Sequence, residues 1–316
     1  IATGDNNLAL DAGTAGNITL SGNLTGGGAM TVRDGAVQSY QALTLGSLTI
    51  SDATTSVTFN EALTLSGATD IDSGGTVVLQ RAFNSSGSSS GTIAIDSDGV
   101  TTIEADGDIN AGGAVAFGAS KTGTLTTSGD IDTSNDNITF TQAVTLGGNV
   151  DIDTTGASAG NILFSSTIAT GGYNLSLDAG TAGNVTLSGN LTGGGAMTVR
   201  DGAVQSYQVL TVDSLDIQDA TTSVTLNQAL TTDGAVNIDS GGTIAINGAI
   251  NTSSSSSGTV DIDGTGTTTI AAAGDINAGG AVAFGANKNG ALTTSGDIDT
   301  SNDNITFTQA VTLGGN

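Results

Sequence analysis

The sequence contains no cysteine, proline, tryptophan or histidine, and only five basic residues. Against these stand 30 acidic residues, so the formal net charge is −25. This balance excludes nucleic-acid backbones and anionic membrane surfaces as electrostatic partners, but it is compatible with divalent cations. The lack of cysteine is compatible with an extracellular bacterial protein that avoids disulfides.

Long apolar runs are also missing. No segment approaches the ~20 apolar residues that a membrane-spanning helix needs, so we expect no membrane insertion in this segment. The chain begins at Ile1 without a recognisable signal peptide, which leads us to expect interior residues of a longer protein or a processed product.

Glycine is abundant, with 49 of 316 residues, and apolar residues make up 37%. Glycine and serine in such amounts can indicate disorder, but the apolar residues recur too regularly for a disordered chain. Disorder remains an option only for two serine-rich runs, Asn84–Gly91 and Asn251–Gly258.

One long repeat organises the chain. A shift of 167 residues aligns Ile1–Asn149 with Ile168–Asn316 without a gap, and about four-fifths of the aligned pairs are identical. The segment Thr19–Gln41 returns unchanged as Thr186–Gln208. We therefore predict a first repeat at residues 1–167 and a second, incomplete copy at 168–316, forming one continuous rod cut from a tandem array.

The differences between the copies reveal a period of two. Leu48 and Ile50 flank Thr49, which becomes Asp216 in the second copy, while substitutions at neighbouring apolar positions stay apolar, as in Phe59 and Leu226. Alternation of this kind is typical of a β-strand with one buried face.

Short apolar–x–apolar triplets separated by glycine, asparagine, aspartate or serine fill the repeat, and no helical period appears. A gapless repeat that grows in line favours a β-solenoid over an antiparallel sandwich. Three strands per coil predict an all-β parallel β-helix of roughly 14 coils, about 65–70 Å long, with open, uncapped ends.

The triplets also predict which side chains point inward. We expect eight apolar side chains to be buried, namely Ile18, Leu20, Val57, Phe59, Val115, Phe117, Ile138 and Phe140. The residues between them should face outward, namely Thr19, Thr58, Ala116 and Thr139.

The segments "NITLSGNLTGGGAMTVRDG" and "NLALDAGTAGNITLSGNLTGGG" resemble the coils of filamentous-haemagglutinin-type and autotransporter-like bacterial adhesins. This resemblance covers essentially the whole chain and rests on the style of the repeat. It implies a right-handed parallel β-helix on a large protein that is secreted, attached to the cell surface or filament-forming. It carries over no functional residue.

Five Asp–Ile–Asp triplets are the candidate sites. If each isoleucine points inward, both aspartates project outward, and carboxylates stacked in neighbouring coils repel one another unless a cation lies between them. The candidate calcium ligands are Asp70, Asp72, Asp130, Asp132, Asp151, Asp153, Asp261, Asp263, Asp297 and Asp299. The alternative is a solvated acidic face that keeps the protein soluble.

Three other features of the sequence could indicate binding surfaces. Outward threonines could form an ice-binding array or hydrogen-bonded ladders. An ice-binding surface usually needs two outward threonines per strand, and a triplet such as Ile18–Leu20 presents one, so we predict ladders. Asparagines that match glycosylation sequons are explained by positions at coil corners. Tyr40 and Tyr207 are candidate binding aromatics, but one per repeat is sparse for carbohydrate stacking.

These observations favour a structural or interaction protein: the repetitive shaft of a large secreted bacterial adhesin or extracellular filament, located outside the cell. Its expected partners are copies of itself, end to end or side by side, and host or environmental glycans. The alternative is a surface module that binds glycans or calcium. A polysaccharide-processing enzyme is disfavoured, because without histidine or cysteine only carboxylates remain for catalysis.

Overall fold

The structure, a computed structural model, describes residues 1–156 and 160–315. The chain divides into two compact units, Ile1–Gly160 and Asn161–Asn316. The described residues form 42 β-strands and no helix.

Short strands follow one another throughout the first unit. They are β1 (Ala2–Gly4), β2 (Leu8–Leu10), β3 (Ile18–Leu20), β4 (Leu24–Gly26), β5 (Ala29–Val32), β6 (Gly35–Tyr40), β7 (Leu43–Leu45), β8 (Ser47–Phe59), β9 (Leu63–Leu65), β10 (Thr69–Ser73), β11 (Thr76–Leu79), β12 (Phe83–Asn84), β13 (Ile93–Ser97), β14 (Val100–Ile103), β15 (Ile109–Ala111), β16 (Val115–Phe117), β17 (Thr124–Thr127), β18 (Ile131–Thr133), β19 (Ile138–Phe140), β20 (Ala143–Leu146) and β21 (Val150–Asp153).

The second unit has the same kind of succession. Its strands are β22 (Ile162–Phe164), β23 (Ile168–Ala169), β24 (Leu175–Asp178), β25 (Val185–Leu187), β26 (Leu191–Thr192), β27 (Ala196–Val199), β28 (Gly202–Tyr207), β29 (Leu210–Val212), β30 (Ser214–Leu226), β31 (Leu230–Thr232), β32 (Val236–Ser240), β33 (Thr243–Ile246), β34 (Ile250–Asn251), β35 (Val260–Gly264), β36 (Thr268–Ile270), β37 (Ile276–Ala278), β38 (Val282–Phe284), β39 (Ala291–Thr294), β40 (Ile298–Thr300), β41 (Ile305–Phe307) and β42 (Ala310–Leu313).

Strand pairing within each unit is parallel, and a strand generally pairs with the third strand before and after it. In the first unit β10 pairs with β13, β13 with β16, and β16 with β19. In the second unit β33 pairs with β36, and β36 with β39. Three successive strands therefore make one coil, and the two units together carry about 14 coils, which confirms the predicted β-solenoid.

The inward and outward positions follow the triplets. Val57, Phe59, Val115, Phe117, Ile138 and Phe140 are buried, and Ile18 is 8% exposed. Thr19 is exposed, while Thr58, Ala116 and Thr139 are half-buried. The alternation of side chains along each strand thus confirms the predicted register.

Leu20 departs from this prediction, because it is only half-buried. Among the described residues, its strand, β3, pairs only with β6. The equivalent Leu187 in β25 pairs with β22 on one side and β28 on the other, and it is 0% exposed. The inward direction was predicted correctly, but full burial requires a coil on both sides.

Strand β8 is longer than the triplets suggest. It joins the predicted strands at Leu48–Ile50 and Val57–Phe59, and it pairs with both β10 and β11. The linking residues contain no glycine, and Ala53 among them is fully buried. Extended backbone here is favoured by threonine, which is β-branched. The strand therefore continues around a corner of the coil instead of ending in a turn.

Candidate functional site

The Asp–Ile–Asp triplets have the predicted orientation. The central isoleucine is buried in four of them, at Ile71, Ile131, Ile152 and Ile262, and half-buried at Ile298. Since neighbouring residues of a strand point to opposite faces, both aspartates of a triplet lie on the outer side of the coil. Their surroundings differ, however, and three arrangements of carboxylates result.

In the first arrangement, carboxylates alternate with neutral residues along the stack of coils. Asp70 lies in register with Thr49 on one side and Ala94 on the other. The equivalent positions of the second unit begin with Asp216, followed by Asn237.

Asn237 is in turn in register with Asp261, which is followed by Ala283. Asn237 Nδ2 donates a hydrogen bond to Asp216 Oδ1 at 2.8 Å. The residues at these positions differ between the two units, but in neither unit do two carboxylates lie in adjacent coils. The predicted carboxylate stack therefore does not form here, and like-charge repulsion is avoided.

In the second arrangement, a lysine forms an ion pair with one of two stacked carboxylates. Asp72 and Asp96 lie in register in adjacent strands. Lys121 lies in the coil after that of Asp96, and its Nζ is 3.0 Å from Asp72 Oδ1 and 3.1 Å from Asp98 Oδ2. Ser120 Oγ donates to Asp96 Oδ2 at 2.6 Å. The hydrogen bond to Asp72, with that to Asp98, raises the pKa of the Lys121 ammonium.

The second unit repeats this lysine cluster. Asp239 and Asp263 are in register, and Lys288 forms an ion pair with Asp239. Asp263 is only 2% exposed, and its Oδ2 accepts hydrogen bonds from the backbone nitrogen and Nδ2 of Asn287 at 3.2 and 2.6 Å. The lysine and both stacked aspartates are thus present in each copy.

The lysine clusters were missed by the sequence argument, because their members come from three different coils. A signal was nevertheless present. Asp72, Asp96 and Lys121 are unchanged in the second copy, as Asp239, Asp263 and Lys288, although they lie in the part of the repeat where substitutions concentrate. Asp70 and Asp98, in the same region, are replaced by Asn237 and Thr265.

In the third arrangement, carboxylates accept backbone hydrogen bonds from the following coil. Asp108 Oδ1 accepts from the backbone nitrogen of Asp130 at 3.0 Å, and Asp130 Oδ1 accepts from that of Asp151 at 2.7 Å. Asp275 does the same for Asp297 at 2.9 Å. These side chains satisfy backbone donors at the corners of the coils.

Asparagines at corners have the same role. Asn17 Oδ1 accepts from the backbone nitrogen of Val37 at 3.3 Å, and Asn184 Oδ1 accepts from that of Val204 at 3.1 Å. Both asparagines begin glycosylation-like sequons. Their position confirms the structural explanation given for these motifs.

Several carboxylates also lie close together near the end of the first unit. Asp132 and Asp153 are in register in β18 and β21. Burial raises the pKa of Asp132 to about 6, and the negative charges of Asp153 and Asp130, with those of other nearby aspartates, add to the effect. A carboxyl with a raised pKa is destabilising to the folded chain when it is ionised.

We expect Asp132→Asn to raise the free energy of unfolding at pH 7 by about 1–2 kcal/mol, a value reduced for solvent screening of a half-buried group. Because the folded pKa of about 6 lies above the ordinary 3.8, the folded chain binds this proton more tightly. The contribution of Asp132 to wild-type stability therefore falls as pH rises from about 4 to about 6, and the variant should lose that part of the slope. Urea unfolding at several pH values measures it.

The matched control is Asp299→Asn, at the equivalent exposed position of the second unit. This change should alter stability by less than about 0.5 kcal/mol. An equal gain from both variants would show that general loss of negative charge, and not the burial of Asp132, is responsible.

Calcium binding at the triplets stays a prediction. Among the described residues, no three acidic side chains are grouped so that they could hold a metal ion. Their carboxylates instead alternate with neutral residues, pair with lysine or accept backbone hydrogen bonds. Asp263 Oδ1 is buried and accepts no hydrogen bond from the described residues.

The two candidate binding aromatics are inside the solenoid. Tyr40 and Tyr207 are both 0% exposed, and their hydroxyls donate to Gln38 Oε1 at 2.7 Å and Gln205 Oε1 at 2.8 Å. The ring of Tyr40 stacks on Phe59 with centroids 5.4 Å apart. The suggestion that these tyrosines bind a surface ligand is therefore wrong.

One sheet face carries two outward rows of small uncharged side chains. We call it the threonine face; it comprises β6, the end of β8, β11, β14, β17 and β20 in the first unit. Its first row is Val37, Ser56, Thr76, Val100, Thr124 and Ala143. Its second row is Ser39, Thr58, Val78, Thr102, Thr126 and Thr145.

The second unit has the equivalent face on β28, the end of β30, β33, β36, β39 and β42. Its first row is Val204, Ser223, Thr243, Thr267, Ala291 and Ala310. Its second row is Ser206, Thr225, Ala245, Thr269, Thr293 and Thr312.

These rows correct one sequence-based expectation. The triplets predicted a single outward threonine per strand, but the strands of the threonine face present two outward positions. Threonine occupies both positions together at Thr124 and Thr126, and at Thr267 and Thr269, whereas most other pairs mix it with serine, valine or alanine. The face is uncharged without being a regular threonine lattice.

A groove of about 610 Å³ lies on the first unit, across the coils that contain β4, β7, β9 and β12. Its lining includes Leu45 and Leu65 together with Thr44, Thr64 and Asn84. None of its lining residues is ionisable. General acid–base catalysis by a carboxylate would therefore have no group among these lining residues.

Comparisons with known proteins do not name a family. No protein-family model matches the chain, and no curated protein or solved structure is significantly similar to it. In the part of the chain that the structure describes, no helix has the length and hydropathy needed to cross a membrane.

Proposed function

We propose that the chain is part of the repetitive shaft of a large secreted bacterial adhesin or extracellular filament. The observation that carries this proposal is the gapless repeat of 167 residues, which folds in each unit into the same succession of short parallel strands. Coils that stack on their neighbours add length in equal steps without requiring a new core.

The side-chain arrangements support the same function. Polar groups at the coil corners satisfy backbone donors, and each lysine cluster holds consecutive coils together. Both serve the stacking of coils. The groove, in contrast, differs between the copies at part of its lining, where Leu45 and Leu65 are replaced by Val212 and Thr232.

The proposal is tested on the cell that produces the protein. Antibodies raised against the 316-residue chain should label intact cells or their extracellular filaments as strongly as lysed cells. Labelling that appears only after lysis would refute an extracellular shaft. As a second measurement, chains with one, two and three tandem repeats should lengthen in electron micrographs by about 35 Å per added repeat, for about seven coils at ~4.8 Å.

A surface that binds calcium is the second candidate function. It is supported by Asp263 Oδ1, which is buried and accepts no hydrogen bond from the described residues. In that case calcium should raise the melting temperature more than sodium at equal ionic strength, and chelation should reverse the increase. Identical melting curves in all three conditions would show that the carboxylates are only solvated or paired within the chain.

A further inference from the structure

The threonine face differs from the other outer surfaces in charge. None of the side chains in its two rows is ionisable, in either unit. In the first unit the other two stacks of strands carry outward carboxylates, such as Asp70 and Asp72 on one and Asp130 and Asp132 on the other. The net charge of −25 is thus excluded from one face of each unit.

Exposed hydrophobic side chains also concentrate there. Val37, Val100 and Val204 are 38%, 40% and 39% exposed, and all three belong to the first row of the threonine face. The other large exposed hydrophobics among the described residues are Ile1, Tyr173 and side chains of the last coil. Outside the ends, exposed large aliphatic side chains are therefore found only on this face of the described chain.

Substitutions between the copies keep the face neutral. Val78, Val100 and Thr124 become Ala245, Thr267 and Ala291. Beside the face, Glu104 follows β14 in the first unit, and the second unit has Ala271 at that position. The side chains on the threonine face thus differ between the copies, but they remain small and uncharged.

The chemistry of the face is self-complementary. Each threonine or serine hydroxyl both donates and accepts hydrogen bonds, so a surface of hydroxyls can pair with a copy of itself, whereas a surface of carboxylates cannot. The rows are in register from strand to strand, as Thr102 with Thr126 and Thr126 with Thr145. Valine and threonine methyl groups add apolar area between the hydroxyls.

Electrostatics select the orientation of any two chains that meet. Two copies that approach through surfaces bearing the aspartates bring like charges together, at a cost that salt screens only beyond about 8 Å. Two copies that meet through threonine faces keep their carboxylates apart. When two copies are related by a twofold axis, both contribute the same surface to the interface.

We propose that the threonine face binds the threonine face of a second copy of this chain, side by side. This inference extends the proposed shaft by naming one lateral contact, and it does not depend on secretion or on adhesion. Each unit carries its own threonine face, so the contact is proposed for each unit separately.

The experiment uses the 316-residue chain and a double variant, Thr126→Asp with Thr293→Asp, which places a carboxylate in the second row of each unit. The matched control is Thr139→Asp with Thr306→Asp, which adds the same charge on a different face. Sedimentation equilibrium should show concentration-dependent dimers for the wild type and the control, with association of the face variant weaker by about tenfold or more.

The neutral variant Thr126→Asn with Thr293→Asn should associate within about threefold of the wild type, because amides also donate and accept. Circular dichroism of each variant shows whether the solenoid is intact. If the aspartate variant fails to fold, the absence of cysteine offers a second measurement. Val100→Cys should form disulfide-linked dimers under oxidation, and Ala116→Cys, on another face, should not.

Rising sodium chloride should strengthen the association by screening the remaining repulsion, and a chelator should leave it unchanged. A wild-type chain that stays monomeric at all concentrations and salts overturns the inference, as does equal crosslinking of the two cysteine variants. Association that disappears with a chelator overturns it in favour of cation bridges between carboxylates. None of these outcomes alters labelling of intact cells, which tests the proposed function separately.

Discussion

Phe140→Ala should lower the free energy of unfolding by about 3–5 kcal/mol. Phe140 is 0% exposed, and its ring stacks on that of Phe117 with centroids 5.4 Å apart and planes 5° from parallel. Truncation removes a large apolar side chain from a narrow interior and leaves a cavity that neighbouring coils cannot easily fill, because their backbones are held by inter-strand hydrogen bonds. Urea unfolding followed by circular dichroism measures the loss.

The second copy provides a matched control. Phe307 has the same local sequence and stacks on Phe284 with the same centroid distance of 5.4 Å, but it is 43% exposed. Phe307→Ala should therefore cost less than about 1.5 kcal/mol, because most of the cavity term is absent at an exposed position. Equal losses from the two substitutions would contradict the burial assigned to Phe140.

Gly75→Ala should destabilise the chain by about 2–3 kcal/mol through a steric clash between coils. A Cβ at Gly75 would lie only 1.8 Å from the carbonyl oxygen of Thr55 in the preceding coil. Gly242, the equivalent residue of the second unit, faces Thr222 in the same way at 1.7 Å. Since the obstructing atom is backbone, the coils must separate, which weakens the hydrogen bonds between them.

Gly87→Ala is the control for this substitution. Gly87 lies in the serine-rich loop after β12, and a Cβ there would meet nothing within 4 Å. Its stability change should stay within about 0.5 kcal/mol. Thermal unfolding of the two variants under the same conditions compares them, and a tolerated Gly75→Ala would show that the coils are less tightly stacked than the structure indicates.

Much of the fold could be predicted because the local pattern determines the direction of each side chain. Alternation with a period of two placed Val57, Phe59, Val115 and Phe117 inside, and their neighbours outside, before any pairing was known. The gapless repeat indicated a solenoid, and corner asparagines such as Asn17 were recognised because asparagine precedes strands repeatedly.

The tertiary structure decided which residues meet. Lys121 reaches Asp72 across two coils, and no periodic feature of the sequence specifies that contact. The sequence also suggested that carboxylates stack. Asp72 and Asp96 do so, whereas Asp70 lies between Thr49 and Ala94. Register between coils depends on how many residues each corner takes, and that number varies along the chain, so partners cannot be read from spacing alone.

The sequence by itself therefore determined the strand type, the repeat and the inward set of side chains. Burial, charge pairing and the two-row threonine face were decided only in three dimensions. Leu20 and Leu187 show the physical reason: each lies in the same segment of 23 residues that occurs in both copies, yet one is half-buried and the other is fully buried. A strand of a solenoid has no core of its own, and its environment is supplied by the coils stacked on either side.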